Sequence, residues 1–324
     1  MKVFVTRIIP EEGLQLIRDA GHSLTIYSEK KELTARELID ACLQHDALLS
    51  AGHNKLDDPF FTACRHLKVV ALYSVGYDHV DLKAAARVGV PVSNTPGVLS
   101  AATADTAFLL MLAVSRKAFF LHNTIAKGEW GFYEPTANLG MELTGKTLGV
   151  FGLGKIGFEM AKRCRGAYDM EILYHNRSVN AVAEQQLGAR YVSFDELLQK
   201  SDVLTVHASL TPETKGLFNI DLFRKMKPGA IFINTGRGGL HNEADLLKAL
   251  LDREIWGAGL DVTNPEPMLA GNPLVNLPNV AVLPHIGSAT IEARTAMARI
   301  AATNLLAGLD GRDMPNLITG GGPE

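Results

Sequence analysis

Residues 147–157 read TLGVFGLGKIG, an apolar strand pattern that runs directly into a glycine-rich turn and the start of a helix. The turn has the spacing GxGxxG and consists of Gly152, Leu153, Gly154, Lys155, Ile156 and Gly157. In such a unit the first glycine permits the tight turn, the second lets a ligand approach the backbone, and the third lets helix and strand pack closely. The free N–H groups at the helix start would face a pyrophosphate. This stretch therefore predicts an α/β unit that binds a dinucleotide.

The end of the next strand pattern, EILYHNRS at residues 171–178, bears on which dinucleotide is bound. An NAD site usually has Asp or Glu at this point to bond the ribose 2′-hydroxyl. This chain has Asn176, Arg177 and Ser178 instead, and its next acid is Glu184. A guanidinium can pair with a 2′-phosphate, and the amide and hydroxyl could add hydrogen bonds. We expect NADPH to be preferred, with NAD as the alternative if Arg177 is only a solvated loop residue.

Short strands alternate with amphipathic helices on both sides of the glycine turn. Six strand patterns run downstream, from TLGVFG to VAVLPH, and five lie upstream, from KVFVTR to VPVSN. This alternation predicts the α/β class, with parallel strands joined by right-handed crossovers. The chain has 324 residues, which fits two domains. A last helix after the final strand could return to the first domain, so the expected domains are 1–98 with 289–324, and 99–288.

Two segments depart from the alternation. One long helix is expected at about residues 100–118, and residues 124–145 then form a glycine-rich, aromatic connector or arm. The last ten residues, PNLITGGGPE, have the composition of a turn. We expect no strand partner for that tail.

Composition excludes several classes of function. The net charge is −3, and the basic residues are scattered among acids, so no nucleic-acid partner is expected. The longest strongly apolar run, residues 107–114, is too short to span a membrane, and the N-terminus does not read as a signal peptide. Cys42, Cys64 and Cys164 have no metal-ligand spacing, so no metal site is expected. We therefore expect a cytoplasmic protein whose partner is a small molecule.

Three polar residues follow late strand patterns, where ligands of parallel sheets gather. Arg237 follows AIFINT, Glu266 follows GLDVTNP, and His285 follows VAVLP. Reduction of a keto acid needs a cation for the carboxylate, a proton donor for the developing alkoxide and a group that holds the donor. Arg, His and Glu meet these needs. Taken singly, each residue also has a plain structural reading, as a surface ion pair, a packing histidine or a solvated turn residue.

The motifs resemble those of the D-isomer-specific 2-hydroxyacid dehydrogenases. GxGxxG, NTGRG, GLDVTNPEP and PHIGSAT occur in the order found in that family, and VGYDHVD and NTPGVLSAATAD match its N-terminal motifs. The likeness covers nearly the whole chain and is greatest to the glyoxylate/hydroxypyruvate reductases. It implies two Rossmann-like domains with doubly wound parallel sheets and an active site in the cleft between them. The implied reaction moves a hydride between a nicotinamide cofactor and a small 2-keto or 2-hydroxy acid.

The resemblance also implies roles for individual residues. His285 would be the acid/base, Glu266 would hold its imidazole, and Arg237 would bind the substrate carboxylate and polarise the carbonyl. His285 would thereby also contact the substrate, and the backbone N–H groups of Val75 and Gly76 would hold the carboxylate. The cofactor contacts implied outside the two segments already described are Thr103, Thr235, Asp261 and Gly287.

The aromatic arm, with Trp130, Phe132 and Tyr133, resembles the segment through which family members dimerise, so a homodimer is expected. Tyr133 could reach the partner's site, or the aromatics could serve only in domain packing. Other functions stay open. The chain could be another D-2-hydroxyacid or phosphite dehydrogenase that uses NAD, or a non-catalytic NAD(H)-sensing protein like the corepressors built on this fold.

Overall fold

A computed structural model describes residues 1–319 of the chain. It divides into two compact units, one formed by Met1–Leu99 with the described part of Ala289–Glu324, and the other by Ser100–Ser288. Residues 320–324, which end the first expected domain and form half of the ten-residue tail, lie outside the described residues.

Parallel strands and helices alternate through both units. The strands are β1 (Lys2–Val5), β2 (Ser23–Ile26), β3 (Ala47–Ser50), β4 (Val70–Leu72), β5 (Val92–Ser93), β6 (Thr147–Phe151), β7 (Glu171–His175), β8 (Arg190–Tyr191), β9 (Val203–Val206), β10 (Ile231–Asn234), β11 (Gly257–Leu260) and β12 (Val280–Val282). The helices are α1 (Glu11–Asp19), α2 (Ala35–Cys42), α3 (Asp58–Ala63), α4 (Leu82–Val88), α5 (Ser100–Ser115), α6 (Ala118–Ala126), α7 (Lys155–Tyr168), α8 (Ala181–Leu187), α9 (Phe194–Lys200), α10 (Ile220–Phe223), α11 (Glu243–Leu251) and α12 (Ile291–Leu309).

The first unit is built on a five-stranded sheet in the order β2-β1-β3-β4-β5. All its neighbouring strands are parallel, and the order is that of flavodoxin-like folds. Helix α12 returns from the end of the chain and packs against α1. A side chain at Gly13 would overlap the backbone of Ala298, so the two helices approach each other at a point where only glycine fits.

The tail after α12 differs from the expectation that it has no strand partner. Leu317 forms an antiparallel bridge with Ser93, and the N–H of Ile318 donates to the carbonyl of Val92 at 2.8 Å. Strand β5 is the edge of its sheet, so its outer backbone groups are open to such pairing. The contact is too short to give a strand pattern in the sequence.

The second unit is built on a seven-stranded sheet in the order β12-β11-β10-β9-β6-β7-β8. Its neighbouring strands are all parallel. From β6 the chain first builds one side of the sheet and then returns to build the other, beginning with β9. This reversal lies at the carboxyl ends of β6 and β9, where open α/β sheets bind their ligands.

The α/β fold class predicted from the sequence is confirmed. One detail is wrong, since the helix expected at residues 100–118 ends at Ser115, Lys117 adopts a left-handed φ of 54°, and the new helix α6 begins at Ala118. Strand β8 has no strand pattern in the sequence, because its two residues, Arg190 and Tyr191, are both exposed and form no apolar run. Within residues 1–319, no helix combines the length and apolarity needed to cross a membrane.

Candidate active site

The glycine turn between β6 and α7 has the geometry that its sequence predicts. Gly152 has a φ of 91°, and a Cβ there would lie 2.7 Å from the backbone nitrogen of Ala208. At Gly157 a Cβ would lie 2.7 Å from the carbonyl oxygen of Gly152, so glycine lets α7 start close to its strand. A Cβ at Gly154 would meet no atom of the described residues within 4 Å. The backbone before Lys155 is therefore open to a ligand.

Two asparagines in the loop between β7 and α8 brace this turn. The Asn176 side-chain oxygen accepts a hydrogen bond from the N–H of Leu153 at 2.6 Å, and its Nδ2 donates to the carbonyl of Leu153 at 3.3 Å. Nδ2 of Asn180 donates to the same carbonyl at 2.9 Å. Both polar atoms of Asn176 thus contact the backbone of Leu153 in the turn, and a hydrogen bond from this amide to a 2′-phosphate stays a prediction. Its side chain holds the glycine backbone in place.

Arg177 and Ser178 follow Asn176 and are exposed. The first acid after them is not at the strand end. Glu184 lies on α8, where its carboxylate accepts a hydrogen bond from the hydroxyl of the buried Tyr174 at 3.0 Å. Apart from Glu171 at the start of β7, residues 171–180 contain no acid. No carboxylate of this segment therefore stands at the strand end, where NAD sites usually bond the ribose 2′-hydroxyl.

Three neighbouring strands bring the expected catalytic residues to one edge of the sheet. Arg237 follows β10, Glu266 follows β11 and His285 follows β12, and these strands lie side by side. Because the strands are parallel, their carboxyl ends share an edge. Residues separated by up to 48 positions in sequence, from 237 to 285, therefore occur on adjacent loops.

His285 and Glu266 are in direct contact. Nδ1 of the imidazole lies 2.5 Å from Oε1 of the carboxylate, and the two side chains are 31% and 28% exposed. The contact with Glu266 uses Nδ1, so the expected proton exchange with a substrate would use the other ring nitrogen, Nε2. His285 has a φ of 54°, a left-handed conformation that is uncommon for a residue with a side chain.

Asp261 holds the turn that carries His285. Its carboxylate accepts hydrogen bonds from the N–H of Ile286 at 2.8 Å and of Gly287 at 2.7 Å, and its carbonyl accepts from the N–H of His285 at 2.9 Å. Burial raises the pKa of this carboxyl, while the two N–H groups oppose the rise. A Cβ at Gly287 would lie 3.0 Å from Asp261 and 3.2 Å from the side chain of Thr103. The structure thus brings together three of the expected cofactor contacts.

Arg237 lies in a turn fixed by buried polar groups. The Nδ2 of Asn234 donates to the carbonyl of Arg237 at 2.9 Å and lies 3.1 Å from Nδ1 of His241. His241 is 1% exposed, and burial lowers its pKa from 6.5 to about 4. A Cβ at Gly238 would overlap the carbonyl of Thr263, so this turn rests directly on the loop that carries Glu266.

Sequence reasoning missed His207, which follows β9 at the same edge. Its Nε2 lies 2.9 Å from the hydroxyl of Thr205, and its Nδ1 lies 3.3 Å from the hydroxyl of Thr235. Loss of hydration lowers the pKa of His207 to about 4, so the ring is neutral at physiological pH. The position of a histidine directly after an apolar strand was the available signal. The ring ties Thr235, an expected cofactor contact, to the neighbouring strand.

The expected substrate residues of the first unit, Val75 and Gly76, follow β4 in a partly buried loop at the carboxyl end of that strand. In the second unit, the open backbone at Gly154 and the cluster of Thr103, Asp261 and Gly287 fit a nicotinamide dinucleotide. The glycine turn suits its pyrophosphate, because N–H groups at a helix start favour an anion.

Comparison with known proteins agrees with this geometry. Residues 108–287 match the model of the D-isomer specific 2-hydroxyacid dehydrogenase NAD binding domain. A glyoxylate reductase of Thermococcus litoralis is 42% identical over 321 residues, which cover 98% of this chain and 96% of that protein.

Solved structures extend the likeness to the whole described fold. A glyoxylate reductase from Paecilomyes thermophila has a TM-score of 0.87 and 31% identity, with 98% of each chain covered. An NADPH-dependent glyoxylate/hydroxypyruvate reductase from Sinorhizobium meliloti, in complex with NADP and malonate, has a TM-score of 0.84 and 31% identity, with 98% of this chain and 96% of that chain covered. With the matched motifs and the His285–Glu266 pair at the expected edge of the sheet, this chain belongs to the D-isomer-specific 2-hydroxyacid dehydrogenase family.

Proposed function

We propose that this protein reduces glyoxylate or hydroxypyruvate with NADPH, forming glycolate or D-glycerate. The observation that carries the proposal is the imidazole–carboxylate pair of His285 and Glu266, on loops next to the Arg237 turn and on the same sheet as the dinucleotide turn. The names of the relatives at about 40% identity support the choice of a small keto acid.

The chain's own residues supply binding and proton transfer. When bound, the nicotinamide supplies the hydride that reduces the substrate carbonyl carbon. His285 gives the proton from Nε2 to the carbonyl oxygen, and Glu266 holds the ring by Nδ1. The guanidinium of Arg237 binds the substrate carboxylate and stabilises the charge that develops on the carbonyl oxygen. The N–H groups of Val75 and Gly76 are a second set of donors to the carboxylate.

Turnover is measured as the loss of NADPH absorbance with glyoxylate, hydroxypyruvate, pyruvate and a bulkier 2-keto acid. The proposal expects the highest kcat/KM with one of the first two. His285→Ala should lower kcat by about 10²- to 10⁴-fold while NADPH still binds. A preference for the bulkier acid would identify another dehydrogenase of the family, and phosphite oxidation with NAD would identify a phosphite dehydrogenase. Cofactor binding with no turnover of any of these substrates would favour a sensing protein.

The preference for NADPH rests on the end of β7. Arg177 and Ser178 are exposed there, and Glu184 is bonded to Tyr174 instead of standing at the strand end. A guanidinium pairs with a 2′-phosphate, whereas a carboxylate at that point would repel it. Arg177→Ala should therefore lower kcat/KM for NADPH relative to NADH by about tenfold.

Arg165→Ala is the matched control, since Arg165 is an exposed arginine of α7 that pairs with Asp169. Its NADPH to NADH ratio should stay at the wild-type value. An unchanged ratio in Arg177→Ala would remove Arg177 from the 2′-phosphate site.

A homodimer is the proposed assembly. Helix α6 has no buried residue, although it contains Phe119, Phe120 and Ile125, and the arm exposes Trp130, Phe132 and Tyr133 by 69%, 73% and 81%. Exposed apolar surface of this kind marks an interface. Light scattering after size exclusion should give twice the chain mass of 35.0 kDa. A monomer at micromolar concentration would contradict the proposal.

A further inference from the structure

The loop that carries Val75 and Gly76 is held through its carbonyl groups. Nδ2 of Asn94 donates to the carbonyl of Val75 at 2.8 Å, and the N–H of Thr95 donates to the carbonyl of Ser74 at 2.9 Å. Both donors come from the segment that follows β5. They therefore bond two successive peptide groups of the loop from the same side.

These bonds fix where the loop's N–H groups point. In a planar trans peptide, the carbonyl of one residue and the N–H of the next point in opposite directions. The bond at the Ser74 carbonyl therefore turns the N–H of Val75 away from β5, and the bond at the Val75 carbonyl does the same for Gly76. Leaving aside bonds inside strands and helices, no backbone carbonyl of residues 1–319 accepts a hydrogen bond from the N–H of Val75 or of Gly76. Successive N–H groups on one side form an anion-binding concavity.

Asn94 is itself held by a buried asparagine of α12. Asn304 is 0% exposed, and its Nδ2 donates to the carbonyl of Asn94 at 3.0 Å. Its Oδ1 accepts from the N–H of Asn316 at 3.1 Å, and the carbonyl of Asn316 accepts from the N–H of Asn94 at 3.3 Å. A buried amide this fully bonded gives one defined position to the backbone that it contacts.

We propose that Asn94 is a positioning residue for the substrate carboxylate and that Asn304 acts through it. Asn94 sets the Val75–Gly76 peptide so that its N–H faces the anion, and Asn304 sets the backbone of Asn94. The inference rests on the proposed function, because it takes the Val75 and Gly76 N–H groups as ligands of the carboxylate. It attributes substrate affinity to a series of hydrogen bonds that runs from the Val75–Gly76 loop through Asn94 to Asn304 on α12.

The test measures anion affinity separately from cofactor affinity. Asn94→Ala removes the donor to Val75 but leaves the backbone bonds of residue 94 in place. The inhibition constant of oxamate, a keto-acid mimic with a carboxylate, should rise about 3- to 10-fold, as expected for one lost orienting hydrogen bond. The KM for glyoxylate should rise by a similar factor. The Kd of NADPH and the value of kcat should stay near wild type.

Asn304→Ala and the double variant test the second step. If Asn304 acts through Asn94, the rise in the oxamate constant in the double variant should be smaller than the product of the two single rises. Leu305→Ala is the control, since it removes a fully buried side chain of the same helix but none of the hydrogen bonds that link Asn304, Asn94 and Val75. It should lower the melting temperature and leave the oxamate constant unchanged.

The outcomes separate the two proposals. An unchanged oxamate constant in Asn94→Ala, with the wild type binding oxamate normally, overturns the positioning role and leaves the proposed function standing. An equal rise in Leu305→Ala also overturns it, because the effect would then come from lost stability. If the wild type reduces no keto acid and binds no oxamate in the presence of NADPH, the proposed function fails, and this inference fails with it.

Discussion

His241 should make the stability of the second unit depend on pH. Its ring is buried, its Nδ1 faces the Nδ2 donor of Asn234, and burial lowers its pKa from 6.5 to about 4. Protonation would remove the acceptor that Asn234 contacts, because both ring nitrogens of a charged imidazole are donors. The folded protein therefore resists protonation of His241 down to about pH 4, while the unfolded chain binds the proton below about pH 6.5.

The difference between the two pKa values of His241, folded and unfolded, sets the direction and the size of the change in stability with pH. Between pH 6.5 and pH 4 the unfolded state binds more protons, so the free energy of unfolding falls as the pH falls. Taking the two pKa values, His241 alone lowers it by about 2 kcal/mol between about pH 7.5 and about pH 5. The loss should be nearly complete near pH 4. His207 has a similar shift, so the contribution of His241 must be isolated by substitution.

His241→Asn isolates the contribution of His241 to the pH dependence, because an Asn side-chain oxygen can replace Nδ1 as the acceptor without titrating in this pH range. Urea unfolding is followed by tryptophan emission, and both tryptophans, Trp130 and Trp256, lie in the second unit. The wild type should lose about 2 kcal/mol more than the variant between the two pH values. A difference between the two proteins that stays constant with pH would refute the buried, neutral state of this histidine.

Substitutions at the sheet edge and in the arm should also have measurable effects. Glu266→Gln keeps an oxygen near His285 but removes the charge, so kcat should fall about 10- to 100-fold with little change in the Kd of NADPH; an unchanged kcat would contradict its role. Gly238→Ala should lower the free energy of unfolding, measured by urea titration, by about 3 kcal/mol or more, because the added Cβ would overlap Thr263. A loss of less than about 1 kcal/mol, the usual effect of a single substitution, would mean that the turn relaxes to accept the side chain. Trp130→Ser should shift light scattering towards the monomer, and an unchanged dimer would exclude this side chain from the interface.

Much of the site could be predicted because its residues follow strands. The sequence places Arg237, Glu266 and His285 just after three apolar runs, and parallel strands bring their carboxyl ends to one edge whatever the intervening helices contain. The glycine turn was predictable for a similar local reason. Its spacing specifies positive φ and close helix packing at Gly152 and Gly157.

Other features depend on contacts that sequence patterns do not encode. The hydrogen bond from the Leu153 N–H to the side-chain oxygen of Asn176 joins two residues that are 23 positions apart in sequence, and nothing local in the sequence distinguishes Asn176 from an asparagine that faces a phosphate. The ring of His207 contacts Thr235 only because Thr235 directly follows the adjacent strand β10. The pairing of residue 317 with β5 needs an open sheet edge, which is a property of the assembled fold.

Asp261 makes contacts within the protein that its expected role at the cofactor does not include. The resemblance assigns it to the cofactor, yet in the structure its carboxylate bonds the N–H groups of Ile286 and Gly287. A left-handed residue with a side chain costs roughly 1–2 kcal/mol, and His285 has this conformation at a φ of 54°. The two hydrogen bonds from Ile286 and Gly287 to the Asp261 carboxyl hold the turn in this conformation. The backbone that carries the imidazole is therefore held by the buried side chain of Asp261, which directly follows the neighbouring strand β11, and the position of His285, the proposed proton donor, depends on Asp261 even before any cofactor binds.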